Sequence, residues 1–203
     1  MDSSTIISFA TFAIVAGFTP GPNNVMLAAS GANFGFRRTL PHILGIVFGF
    51  CTLVLAAGFG LATLFASLPW LYNTLKILSF LFLLYLAWKI GSAGRTQANE
   101  KDRPLNFLQA AIFQLINPKG ITVIISSVTA FTSKAENINT EVLILLVVFS
   151  AVAFFSTCAW TLFGLGIAKF LHNNNRLRFF NLSMAVLLVL SLLPAIIQPT
   201  LLR

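Results

Sequence analysis

Six apolar stretches, each of a length to cross a bilayer, make up most of this 203-residue chain. A membrane helix needs about 20 mostly apolar residues. The stretches run from about Thr5 to Ala32, Pro41 to Phe65, Leu71 to Trp88, Leu105 to Thr132, Val142 to Phe170 and Leu177 to Ile197. Only 9% of the residues are charged, against roughly 25% in a soluble domain. Lipid must therefore face most of the surface. The expectation is one transmembrane domain over residues 1–203, with no region long enough to fold alone in water.

The opening Met1-Asp2-Ser3-Ser4 has no Lys or Arg, whereas a signal peptide needs a positive start. The apolar run Ile6 to Phe18 is followed by Thr19-Pro20-Gly21-Pro22 rather than a small-residue cleavage site. It is read as the first span.

A net charge of +8 could suit nucleic acid, but the basic residues sit in short clusters between apolar runs. That is the pattern of orientation signals, not of a nucleic-acid surface. Nine lie in the first, third and fifth loops: Arg37, Arg38, Lys89, Arg95, Lys101, Arg103, Lys169, Arg176 and Arg178. Lys76, Lys134 and Arg203 lie on the other side. This bias predicts cytoplasmic odd loops and both termini in the periplasm. Trp70, Tyr72, Tyr85 and Trp88 frame the third span as an interfacial belt.

The polar segment from Gly91 to Arg103 divides the chain near its middle. Repeat 1 covers about 1–92, a cytoplasmic linker about 93–104, and repeat 2 about 105–203. A three-span unit is odd, so its second copy is inverted, an arrangement common in secondary transporters with the site at the midplane. The predicted fold class is thus an all-α membrane protein: six transmembrane helices as two inverted three-helix repeats.

The first and fourth spans are broken at corresponding places, by Thr19-Pro20-Gly21-Pro22-Asn23-Asn24 and by Asn117-Pro118-Lys119-Gly120. A helix-interior proline removes one N–H and clashes with the carbonyl four residues back. Pro20, Pro22 and Pro118 would release the carbonyls of Ala16, Phe18 and Gln114. Such breaks are tolerated in a membrane only where they line a cavity or are buried in protein. Matching breaks in two halves point to a binding site, although one proline alone would read as a plain kink. The candidate substrate-binding residues are therefore Pro20, Gly21, Pro22, Asn23, Asn24, Asn117, Pro118, Lys119 and Gly120. Adjacent asparagines point about 100° apart, so one can line the site while the other caps the restarted helix.

Lys119 lies deep in its span, where a charge costs about 2.5–3.5 kcal/mol. Local carbonyls could hold it. The functional reading is a counter-ion for a substrate carboxylate. All five acidic residues, Asp2, Glu100, Asp102, Glu136 and Glu141, read as tail or loop residues. Lys119 then has no permanent anionic partner. It is also the candidate for proton coupling, able to shed a proton when the site empties and regain it when a carboxylate arrives. A positive-leaning site suits a zwitterion or an anion.

Gly45 and Gly49 in the second span form a small-xxx-small pair suited to helix packing; Gly164 and Gly166 lie in the fifth. Cys51 and Cys158 lie in apolar runs without a Cys-x-x-Cys pair. His42 and His172 lie near span ends without a metal or hydrolytic motif. No metal, no cofactor and no enzymatic activity are expected.

The segment Phe18-Thr19-Pro20-Gly21-Pro22-Asn23-Asn24, followed by Gly35-Phe36-Arg37-Arg38, resembles the opening of the LysE/RhtB family of amino-acid exporters. Tyr85-Leu86-Ala87-Trp88-Lys89, Asn117-Pro118-Lys119 and Cys158-Ala159-Trp160 resemble that family as well. The similarity covers essentially the whole chain. It implies amino-acid efflux across the bacterial inner membrane, driven by the proton gradient. The two asparagines after Pro22 look most like the branch exporting cysteine and O-acetylserine; homoserine and threonine are related substrates. Exporters of basic amino acids in this family tend to carry an aspartate in the second span, and Gly45-Ile46-Val47-Phe48-Gly49-Phe50 has none. The expected partners are an amino acid, protons and the lipid bilayer, with a homo-oligomer left open. The alternatives are a small-solute channel or an exporter of another zwitterionic or basic amino acid.

Overall fold

The computed structural model of the chain describes residues 1–92, 103–132, 138–171 and 173–191. All regular structure among them is helical. The first apolar stretch forms α1 (Ser3–Phe18) and α2 (Pro22–Phe34), bent 51° against each other. The second forms α3 (Phe36–Ala56), a widened turn at Ala57–Leu61 and the short α4 (Ala62–Ser67). α5 (Pro69–Ser92) is the third. The fourth forms α6 (Phe107–Ile116) and α7 (Pro118–Phe131), bent 61°. α8 (Ile138–Ala168) and α9 (Asn174–Leu190) follow.

Among the described residues, three helices are long and apolar enough to cross a membrane, and the two bent pairs raise the number to five. The expected sixth span, Leu177 to Ile197, begins as α9 and then enters residues outside the described set. Most of the expected linker, residues 93–102, also lies outside it, as do Lys134, His172, Arg203 and the side chain of Tyr72.

Local sequence explains most helix ends. Asp2 accepts from Thr5 N at 2.8 Å and caps α1. Asn106 and Gln109 exchange side-chain to backbone bonds at 2.8 and 3.1 Å, a capping box that starts α6. One span departs from its expected continuity. The second breaks at Phe59 and Gly60, where Gly60 takes φ 108°, a backbone conformation that glycine alone adopts without penalty.

Several charges expected in loops belong to helices. Arg37 and Arg38 sit exposed in the first turn of α3, and Arg176 and Arg178 in the first turns of α9. Glu141 is in the first turn of α8, buried, 3.3 Å from the Met1 ammonium. A carboxylate is favoured at that end by the helix dipole.

Lipid tails are as apolar as leucine, so helices in a bilayer associate through close packing and interhelical hydrogen bonds. Glycines supply the close packing. α2 packs mainly on α8, and a Cβ at Gly31 or Gly164 would overlap the Thr161 or Ala28 carbonyl, respectively. α3 packs on α6 and α8; a Cβ at Gly45 or Gly49 would overlap the Phe107 or Ala111 carbonyl of α6. α5 packs on α9. Phe9, Phe131 and Phe149 bring α1, α7 and α8 together, with Phe9 at 5.0 Å edge-on to Phe149. Trp70, Tyr85 and Trp88 of α5 are exposed.

Candidate functional site

Both breaks follow one local rule. A residue before proline is pushed out of the α region. Thr19 accordingly has ψ 135° and Asn117 ψ 109°, which ends α1 and α6. Proline then suits the first helical position, where its missing N–H would be unpaired anyway. Pro22 and Pro118 start α2 and α7 in this way. Each former single helix thus becomes two helices meeting at an angle, with polar backbone exposed at the corner.

The carbonyls at the first corner are not those expected from proline position alone. Gly17 O accepts from Asn24 Nδ2 at 2.9 Å and Ser156 Oγ at 2.7 Å. Thr19 O accepts from Asn24 Nδ2 at 2.9 Å and from Lys119 Nζ at 2.7 Å. Gln114 O at the second corner accepts from Asn117 N at 3.3 Å. Asn24 therefore closes the end of α1 and does not cap α2, whose N-cap, Gly21, has no side chain to offer.

Lys119 reaches from the second break to the first. Its ammonium also lies 3.5 Å from Pro20 O, so carbonyls do hold it, but those of the other half of the chain. Gly21 makes room for this. A Cβ there would lie 2.7 Å from Lys119 Cδ and 3.0 Å from Nζ. Gly120 is different: a Cβ would meet only ordinary contacts at 3.6 Å.

A second link joins the breaks. Asn23 Nδ2 donates to Gln114 Oε1 at 2.7 Å, and Gln114 Nε2 donates back to Asn23 Oδ1 at 3.2 Å. Asn117 Nδ2 donates to the same Gln114 Oε1 at 3.3 Å. Gln114 is fully buried and was missed by the motif reading, because it lies outside the break itself. Its signal was an amide three residues before Asn117 in an otherwise apolar segment.

The breaks open on a cavity of about 60 Å³. One water needs about 10–15 Å³, so the space admits on the order of four to six water-sized atoms. Gly21, Pro22, Asn23, Asn24, Asn117, Lys119 and Gly120 lie in its wall; Pro20 and Pro118 do not. α8 contributes Phe149, Val152, Ala153, Ser156 and Thr157, and α3 contributes Ile46 and Phe50. Thr157 Oγ1 donates to Ala153 O at 2.7 Å. Polar groups thus gather at the breaks, and apolar groups from α3 and α8 face them. Among the described residues the wall holds one cationic side chain and no carboxylate.

The pattern of LysE type translocators matches residues 14–193, a range that takes in both breaks and the cavity. This chain belongs to the LysE type translocator family. Similar proteins include the cysteine/O-acetylserine efflux proteins of Salmonella typhimurium and Salmonella typhi, each 26% identical over 191 residues, 93% of this chain and 96% of theirs. The cysteine/O-acetylserine efflux protein of Escherichia coli strain UTI89 is 25% identical over 165 residues, 81% of this chain and 84% of its own length. No solved structure matches the chain. This LysE translocator is accordingly a multi-pass helical membrane protein of an amino-acid efflux family.

Proposed function

We propose that this translocator exports small neutral amino acids or their derivatives, such as cysteine and O-acetylserine or homoserine and threonine, from the bacterial cytoplasm in exchange for protons. The observation that carries this reading is the cavity between the two breaks, with one ammonium and no carboxylate in its wall. A zwitterion brings one carboxylate for Lys119 and leaves no second cation to be neutralised. A basic amino acid would add a positive charge that nothing in the wall opposes. The apolar side offered by Val152, Ala153 and Phe149 accepts a short side chain.

In this reading the chain crosses the inner membrane six times as two inverted repeats, with both termini in the periplasm. The packing supports it. Each broken helix lies against a helix of the other half, α2 on α8 and α6 on α3, through glycine-mediated crossings. Alternating access would rock these pairs about the breaks, and Lys119 would link proton to substrate by exchanging its carbonyl partners for the carboxylate. The chain would act in the bilayer with an amino acid and protons, as a monomer or a homo-oligomer.

Inverted vesicles expressing the chain test this directly. They should accumulate labelled cysteine, O-acetylserine or threonine, and accumulation should collapse when the proton gradient is dissipated. Solute equilibration that survives dissipation would indicate a channel. Selective uptake of lysine or arginine would overturn the neutral-substrate reading.

A further inference from the structure

We infer that Asn117 is the acceptor for the substrate's ammonium group, and that Gln114 is the positioning residue that aims it. The inference rests on the amino-acid export reading above and assigns an atom to the other end of the zwitterion.

The orientation follows from hydrogen-bond chemistry. A backbone carbonyl can only accept. Gln114 Nε2 lies 2.9 Å from Ala110 O, so the amine end of that side chain must face it. Gln114 Oε1 then has to accept, and it does so from Asn23 Nδ2 and Asn117 Nδ2. That turns the Asn117 amide so that its Oδ1 points away from Gln114. Asn117 is 2% exposed, and its Oδ1 accepts from no group among the described residues. A buried acceptor without a donor leaves its desolvation uncompensated.

The other polar side chains of the cavity wall have partners: Asn24 on the Gly17 and Thr19 carbonyls, Ser156 on Gly17 O, Thr157 on Ala153 O, and Lys119 on Thr19 O. Asn117 Oδ1 is the fully buried acceptor of the wall that has no donor among the described residues, two residues from the ammonium that would take the carboxylate. Water does not reach it in this conformation, so the wall must shift before an ammonium carried in by the solute can meet it, and the bond then made replaces a missing one. A neutral oxygen rather than a carboxylate at this place selects a zwitterion. It holds one ammonium and offers nothing to a second positive charge.

The test uses the full chain in inverted vesicles. Labelled cysteine, O-acetylserine and threonine are each competed by the unlabelled amino acid and by its desamino analogue: 3-mercaptopropionate, 3-acetoxypropionate and 3-hydroxybutyrate. In the wild type, the analogue of a transported amino acid should inhibit at least about tenfold more weakly than the amino acid. Asn117→Leu should raise KM for the amino acid about tenfold and bring the two inhibition constants to within about twofold of each other. Gln114→Leu should shift the same ratio in the same direction while leaving the maximal rate closer to wild type. Equal inhibition by both members of a pair in the wild type, which needs no variant to fold, would overturn the ammonium acceptor. So would an unchanged ratio in an Asn117→Leu protein that still transports. Failure of the wild type to accumulate any of the amino acids would instead overturn the export reading itself.

Discussion

The ammonium of Lys119, at the break between α6 and α7, lies 2.7 Å from the carbonyl of Thr19, at the break between α1 and α2. Two residues 100 positions apart in the chain thereby close the gap between the two broken helices. The contact explains why a cation is tolerated inside an apolar segment. Polar backbone released by one break satisfies the charge placed at the other.

Replacing Lys119 by methionine keeps the length and removes the charge. Hydrogen bonds to charged groups are worth about 1.5–3 kcal/mol, so export should fall roughly tenfold to a hundredfold at normal expression. Lys119→Arg should also be poor, because a planar guanidinium does not replace a compact ammonium that packs against Gly21 and bonds the Thr19 carbonyl. Vesicle uptake at the wild-type rate by Lys119→Met would remove the counter-ion and coupling roles together.

Gly21, the extended N-cap of α2, and Gly120, in the first turn of α7, both line the cavity but should respond oppositely. Gly21→Ala brings a methyl to 2.7 Å from Lys119 Cδ and must displace the lysine, so export should drop while membrane insertion is kept. Gly120→Ala meets only contacts at 3.6 Å and should keep most of the activity. Membrane-fraction immunoblots alongside uptake separate insertion from transport.

The α2–α8 crossing predicts a second contrast within one helix. Gly164→Ala drives a Cβ into the Ala28 carbonyl, whereas a Cβ at Gly166 meets nothing. Overpacking typically costs about 1–3 kcal/mol. Gly164→Ala should therefore lower the unfolding temperature in detergent, and Gly166→Ala should leave it unchanged.

Asn23 and Gln114 should couple energetically. Residues in one hydrogen-bond network show interaction energies of about 0.5–3 kcal/mol in double-mutant cycles. Asn23→Leu, Gln114→Leu and the double variant, compared by denaturation in detergent, should be non-additive by that order. Strict additivity would show that the reciprocal amide pair holds nothing together.

The charge bias makes a topological prediction independent of the cavity. A reporter fused after Arg203 should read as periplasmic, and one inserted at Gln97 as cytoplasmic. A cytoplasmic reading after Arg203 would refute the inverted six-span arrangement.

Sequence alone determined the helical class, the membrane setting and the two breaks, because each is a local property. Apolar length specifies a span, and Pro22 and Pro118 each restart a helix through their own fixed φ and missing N–H. The family followed from those same short motifs. Partners were decided only by the tertiary structure. Proline position pointed to the carbonyls of Ala16 and Phe18, yet Gly17 O and Thr19 O are the ones that Asn24, Ser156 and Lys119 reach. Gln114, Ser156 and the carbonyl-facing Gly31 stand outside any motif, and their roles appear only when α6 meets α2 and α8 meets α1 and α2. A hydrogen bond between residues 91 or 139 positions apart leaves no period or spacing in the chain. It depends on how closely two helices pack, and in a bilayer that closeness is set by small residues on both facing surfaces at once.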